Sequence, residues 1–147
     1  MTHRVKTDIW QFQNALSARL LSWAGISLGA GTLLMALRNP VARGIAGQAL
    51  AWGAIDGLIA WVGCRRSRDR SALTDAHLVE TQAKERASLR RILWINTGLD
   101  LGYIAGGLAL TMTRGQRSAL ARGTGLGIAL QGAFLFFFDL LNALALR

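Results

Sequence analysis

The sequence predicts an all-α fold, a four-helix transmembrane bundle built from two parallel helical-hairpin repeats with cytoplasmic or interfacial helix extensions. Three observations predict it. Four nearly uncharged runs, at about residues 20–37, 44–64, 92–113 and 126–146, are each about 18 to 22 residues long, and roughly 20 apolar residues at 1.5 Å rise cover the hydrocarbon layer of a bilayer. Basic residues gather in alternate flanks of those runs. The second and fourth runs also carry the same polar residues at the same spacing. A chain of 147 residues is one domain by length, and its 52% hydrophobic content exceeds the usual apolar share of a soluble domain.

In chain order, a polar helical segment over about 8–19 leads the first run. Thr7 or Asp8 is placed to cap it, and Ile9, Phe12, Leu16 and Leu20 recur at three-to-four spacing. Trp10 and Phe12 suit this segment to the membrane surface. The basic start followed by residues 20–37 imitates a signal peptide, but the run exceeds an h-region in length and no clear small-residue cleavage site follows it. It is read as an uncleaved span. Arg38-Asn39-Pro40 ends it, because the residue before proline is driven out of helical backbone, and a tight hairpin leads into 44–64. Cys64, the single cysteine, falls at the inner end of that span, where a thiol stays reduced.

A second polar segment, over about 74–91, is expected to start at Thr74 or Asp75. Leu73, Ala76, Ala83 and Ala87 take one side of it, with Glu80, Lys84, Glu85 and Arg86 interleaved. No Gly or Pro interrupts the chain from there to Thr97, so the helix either projects from the membrane or bends at Arg90-Arg91 to lie on it. The outer loop around Thr113 to Gly125, with Gly115, Gly123 and Gly125, is expected to be the longer of the two outer loops.

The formal charge of +9 does not point to nucleic acid, because the 17 basic residues follow the spans. Arg4, Lys6, Arg19, the eight between the second and third runs and Arg147 make 12 on one side; Arg38, Arg43, Arg114, Arg117 and Arg122 make 5 on the other. The positive-inside rule then puts both termini and the middle loop in the cytoplasm, with the protein in the cell (inner) membrane. Anionic lipid headgroups are the expected partners of the basic face. Trp10, Trp23, Trp61 and Trp94 fall near that boundary, where indole favours the headgroup region. Fifteen Arg against two Lys, with abundant Gly and Ala, suits a GC-rich bacterial genome.

The repeat rests on Gly44-Ile-Ala-Gly-Gln48 through Asp56 against Gly127-Ile-Ala-Leu-Gln131 through Asp139, with Gln and Asp eight apart in both. Gly25-Ile-Ser-Leu-Gly29 aligns more weakly on Gly98-Leu-Asp-Leu-Gly102, placing Ser27 where Asp100 stands. Each unit holds two spans, so both copies insert the same way, related by an axis along the membrane normal.

Three spans carry one carboxylate each, Asp56, Asp100 and Asp139, and no Lys or Arg lies within any span. Ionisable residues at membrane depth are costly and mark functional sites by default. All three fall roughly 11 to 12 Å inside the cytoplasmic boundary, counted at 1.5 Å per residue. Asn96, Asp100 and Tyr103 share one helical face, as do Gln131, Asp139 and Asn142, and as do Gln48, Trp52 and Asp56. Such faces turn inward, since lipid offers no hydrogen bonds. The candidate ion- or solute-binding set is Asp56, Asp100, Asp139, Gln48, Asn96, Tyr103, Gln131 and Asn142. Gly25/Gly29, Gly53/Gly57, Gly98/Gly102/Gly106 and Gly123/Gly127 have the small-xxx-small spacing that lets membrane helices approach closely. In the third span the glycine stripe points away from Asp100, which leaves a face for a homodimer contact.

Two functions suit this layer. One is the handling of protons, cations or a small solute by alternate protonation or coordination at the three carboxyls. The other is a non-catalytic scaffold or accessory subunit in which protonated carboxyls only bond helices together. An enzyme is not expected: His3 and His77 lie in polar flanks, and no HExxH, Gly-x-Ser-x-Gly, P-loop or CxxC motif occurs. No cofactor or dedicated metal motif is present either. The runs Gly44 to Asp56, Asn96-Thr-Gly-Leu-Asp100-Leu-Gly-Tyr103 and Gln131 to Asp139 resemble a family of small bacterial four-span membrane proteins known only as a domain of unknown function. That resemblance covers most of the chain and implies no activity. In size the chain is also similar to small four-span multidrug exporters, but those carry a membrane carboxylate in the first span, where this chain has only Ser27.

Overall fold

The computed structural model describes residues 8–146, which form four long helices: α1 (Ile9–Met35), α2 (Pro40–Ser71), α3 (Val79–Met112) and α4 (Ala119–Ala145). A single 3-10 turn, Arg114–Gln116, precedes α4, and no strand occurs among the described residues. The all-α, four-helix bundle is therefore what the chain builds. Asp8 caps α1 by accepting from the Trp10 N–H at 2.8 Å, while Thr7 lies outside the described residues, as do His3, Arg4, Lys6 and Arg147. At the first hairpin Asn39 accepts from the N–H groups of Val41 and Ala42, and Pro40 takes the first helical position, where its missing N–H costs nothing.

Several boundaries differ from expectation. α3 starts at Val79 rather than at Thr74 or Asp75, and 72–78 is a chain of turns. The Ala76 carbonyl is occupied by the Trp10 indole N–H, 3.0 Å away, and Ala76 itself is buried, so this stretch serves as a tertiary anchor instead of a helix. On α3 the side turned inward carries Glu85, Leu89 and Leu93, while Leu73, Ala83 and Ala87 are exposed. No break falls at Arg90-Arg91. α2 continues past Cys64 to Ser71. The second outer loop, 113–118, is the longer of the two as expected, but it stops well before Gly125, because α4 begins at Ala119 and takes Gly123 and Gly125 into the helix.

Those glycines enter the helix because they are where backbones meet. A Cβ on Gly123 would lie 2.0 Å from the Val41 carbonyl oxygen, one on Gly44 would lie 2.5 Å from that of Leu120, and one on Gly127 would lie 2.7 Å from the Gln48 Cβ. Gly44 is equally close to the Thr124 N, and the pairs 44/124 and 48/127 show α2 and α4 running parallel in contact at their N-terminal ends. Gly31 against Leu50 and Gly53 against Leu28 set α1 antiparallel to α2; Gly107 against Ala129 and Gly132 against Tyr103 do the same for α3 and α4. By contrast Gly25, Gly29, Gly98, Gly102 and Gly106 meet nothing within 4 Å. Two of the expected small-residue pairs thus pack inside the chain, and the other two sets face out of it.

The interior is small and polar, and the surface is large and apolar. Buried in α4 are Gly123, Gly125, Gly127, Gln131, Gly132, Leu135, Asp139, Asn142 and Ala143, whereas Leu33, Ile26, Leu58, Ile95, Leu130 and Leu141 are more than half exposed on the four helices. A water-soluble bundle does the reverse. α1, α2 and α4 are long and apolar enough to cross a membrane. α3 falls short of that measure, since Asn96, Asp100, Tyr103 and its glycines dilute Ile92, Leu93 and Ile95.

The ends of the bundle are fastened differently. At the Asn39 end the seam is backbone on backbone. At the Asp8 end, Ile9, Trp10, Ala76, Leu93, Ala143 and Leu146 form one buried cluster. Ser67 donates to the Trp10 carbonyl at 3.2 Å, and Gln82 and His77 both meet the Asp8 carboxyl, at 2.6 and 3.2 Å. Trp10 therefore serves the interior, and so does Trp23, stacked on Phe134 at 3.6 Å. Only Trp61 and Trp94 of the four expected headgroup tryptophans are exposed. The indole N–H groups of the other two are taken by protein acceptors, the Ala76 carbonyl and Gln131.

Candidate functional site

Parallel packing of α2 on α4 and antiparallel packing of α3 on α4 bring the three aspartates together at one level. Asp56, Asp100 and Asp139 are 2%, 3% and 7% exposed. The Asp100 and Asp139 carboxyls are hydrogen-bonded to each other, the Asn96 amide donates to Asp139, and Asp56 is near enough to interact with this pair through charge. A bond between two carboxyls needs a proton on one of them, so this pair shares at least one. Asp56 Oδ2 and Asp100 Oδ2 are buried and have no hydrogen-bond partner. Buried oxygens are rarely left so.

Of the five auxiliary residues, Asn96 is the one hydrogen-bonded into the cluster. Gln131 accepts from the Trp23 indole at 3.0 Å and donates to Ser27 at 3.4 Å, so it ties α4 to α1. Asn142 accepts from Arg19 at 3.4 Å and donates to the Phe138 carbonyl at 2.7 Å. Tyr103 is 40% exposed and meets Trp52 edge to face at 4.9 Å. Gln48 is half-buried against Gly127. The shared helical faces were legible from spacing; which partner each residue takes depends on helix rotation, which spacing does not fix.

No group of three His, Cys, Asp or Glu side chains among the described residues is arranged to hold a metal ion. The bonded Asp100 and Asp139 pair can exchange a proton, and the open oxygens of Asp56 and Asp100 can accept hydrogen bonds.

The cluster borders a cavity of about 480 Å³, which sequence reasoning missed. α2 and α3 touch at Trp52 and Tyr103 and at Glu85 but are apart between these points, and the gap is lined by Leu58, Ile59 and Val62 on one side, Ser88, Leu89 and Ile92 on the other, and Gln13, Leu16, Ser17 and Leu20 of α1. Asn96 and Asp139 stand at one end, Arg66 and Glu85 at the other. Glu85, 8% exposed, is paired to Arg70 and, at 3.9 Å, to Arg66. This link joins α2 to α3 beyond the apolar stretch. The available signal was Glu85 between Lys84 and Arg86, a carboxylate opposite the Arg-rich end of α2.

A model of a family of unknown function, DUF6992, matches residues 19–140. That stretch holds all three aspartates, Asn96 and Glu85. Neither a curated protein nor a solved structure matches the chain.

Proposed function

The chain belongs to DUF6992, a family of unknown function, and since membership brings no activity with it, we propose from the geometry that this is a four-span membrane protein whose Asp56, Asp100 and Asp139 cluster takes up and releases protons in step with passage of a small solute. The observation that carries the reading is the pair of unbonded buried oxygens on Asp56 and Asp100 beside a bonded Asp100 and Asp139 pair. A carboxyl whose sole task was to hold helices together would spend both its oxygens on the neighbouring helix. Here Asp100 and Asp139 make one bond between α3 and α4, Asp56 and Asp100 each keep an oxygen free, and α1 is tied to α4 by Trp23, Ser27 and Arg19 on Gln131 and Asn142.

α3 crosses with the other three in this reading, because it lies along α4 from Asp100 to Gly107. The Asp8 end, with Arg19, Arg65, Arg66, Arg68, Arg70, Arg90 and Arg91, faces the cytoplasm and its anionic lipid. The two-hairpin repeat belongs to the proposal too, with Gln48 to Asp56 and Gln131 to Asp139 on the two parallel helices.

Proteoliposomes with an entrapped pH-sensitive dye and an imposed proton gradient test it. Wild type should move protons, and Asp56→Asn, Asp100→Asn and Asp139→Asn should each slow this at least tenfold while the bundle stays folded. Folded variants with unchanged flux would sink the proposal. The rival, a scaffold or accessory subunit, is favoured by the side-chain bonds between hairpins, and predicts loss of assembly in detergent with no proton movement to lose.

A further inference from the structure

We propose that the groove between α2 and α3 binds a hydrophobic monovalent organic cation, its charge on Asp139 and its apolar body between Leu58, Ile59, Leu89 and Ile92. This rests on the reading above and names its substrate class. The groove spans the eleven residues from Glu85 to Asn96, roughly 16 Å along α3 at 1.5 Å per residue, and its walls are mainly apolar, with Gln13, Ser17 and Ser88 as the uncharged polar groups before Asn96 and Asp139 are reached. Its lip stays open between the Trp52–Tyr103 contact and the Glu85 ion pairs: Leu58, Ile59, Val62 and Ile92 are 61%, 55%, 49% and 47% exposed. A molecule dissolved among lipid chains enters there without crossing water.

Charge decides what kind of molecule fits. The basic residue placed nearest to Asp139, Arg19, is one helical turn away with its guanidinium on Asn142 and does not line the groove; the basic residue that does, Arg66, sits at the opposite end on Glu85. The orphaned oxygens of Asp56 and Asp100 lie behind Asp139 in the same cluster. A cation at Asp139 answers an excess of acceptors; an anion there adds to it. The apolar walls favour a delocalised or alkylated cation over a hydrated metal ion, whose desolvation they do not offset. When such a cation arrives, the proton shared by Asp100 and Asp139 is the charge it displaces.

Tetraphenylphosphonium and tetraphenylborate have the same apolar body and opposite charge, so they separate the terms. Equilibrium dialysis of the purified, detergent-solubilised full chain should show saturable binding of the phosphonium and not of the borate. Asp139→Asn should weaken phosphonium binding at least tenfold, and Ile92→Trp, which fills the groove at a half-exposed site, should weaken it without touching a carboxyl. Equal binding of both ions would mean that the groove takes apolar matter of any charge, such as a lipid chain, and would overturn the proposal. So would undiminished binding in both variants. Proton movement without phosphonium binding defeats this inference alone; phosphonium binding without proton movement defeats the proton reading and leaves the site.

Discussion

Gly123→Ala puts one methyl group into the α2 and α4 seam. Built on the existing backbone it lies 2.0 Å from the Val41 oxygen and 2.7 Å from the Val41 carbonyl carbon, against the 3.4 Å at which ordinary contact begins. The shortfall is roughly 1.4 Å, and the obstructing atoms are backbone, so no rotamer change relieves it. Overpacking of this kind costs about 1–3 kcal/mol, and the upper part of that range applies where a helix must move. Alanine's better helix propensity returns about 1 kcal/mol, which leaves a net loss of about 2 kcal/mol. Gly102→Ala is the control, since nothing lies within 4 Å of that position and only the propensity gain remains. Reversible unfolding of detergent-solubilised protein by sodium dodecyl sulfate, followed by tryptophan fluorescence, measures both. The reasoning is refuted if Gly123→Ala matches or exceeds the parent in stability. A loss at Gly102 that grows with protein concentration would show a second copy covering that stripe.

Trp10→Phe keeps the ring in its buried cluster and removes the N–H that satisfies the Ala76 carbonyl; the unpaired carbonyl should cost about 1–3 kcal/mol in the same unfolding assay. Asp8 gives a pH dependence. Burial opposes ionisation there, but hydrogen bonds from Gln82, from the N–H groups of Trp10 and Gln11 and from His77 outweigh it and hold the carboxyl below its ordinary value of 3.8. A lowered folded value means that the stabilisation is fully present above pH 3.8 and is lost as pH falls through the folded value. Asp8→Asn should therefore flatten the acid limb of the stability curve below pH 3.8 and lower the plateau above it, and identical acid limbs would contradict the assignment.

The long helices were readable because membrane-length apolar runs with few breakers leave little alternative, and Asn39-Pro40 marks its hairpin chemically. The level shared by Asp56, Asp100 and Asp139 followed from counting residues, as rise per residue is fixed. What the sequence did not yield depends on contact between distant elements. Residues 74–78 have helix-compatible composition, and only the Trp10 indole 66 residues away claims the Ala76 carbonyl. Gly123 and Gly125 read as loop residues, since glycine in a helix and glycine in a turn look alike until a second backbone is placed against them. The groove is a gap between α2 and α3, and a gap has no residue of its own to announce it.

The seam at Gly44 and Gly123 and the knot around Trp10 hold the bundle like a beam fixed at both ends. A beam so held does not swing as a gate; it bows, and the displacement is greatest midway. Between the Trp52–Tyr103 contact and the Glu85 ion pairs α2 and α3 are unsupported against each other, so small lateral bending there changes the width of the groove while leaving both ends in register. The stiffness of two helices then sets how wide it is.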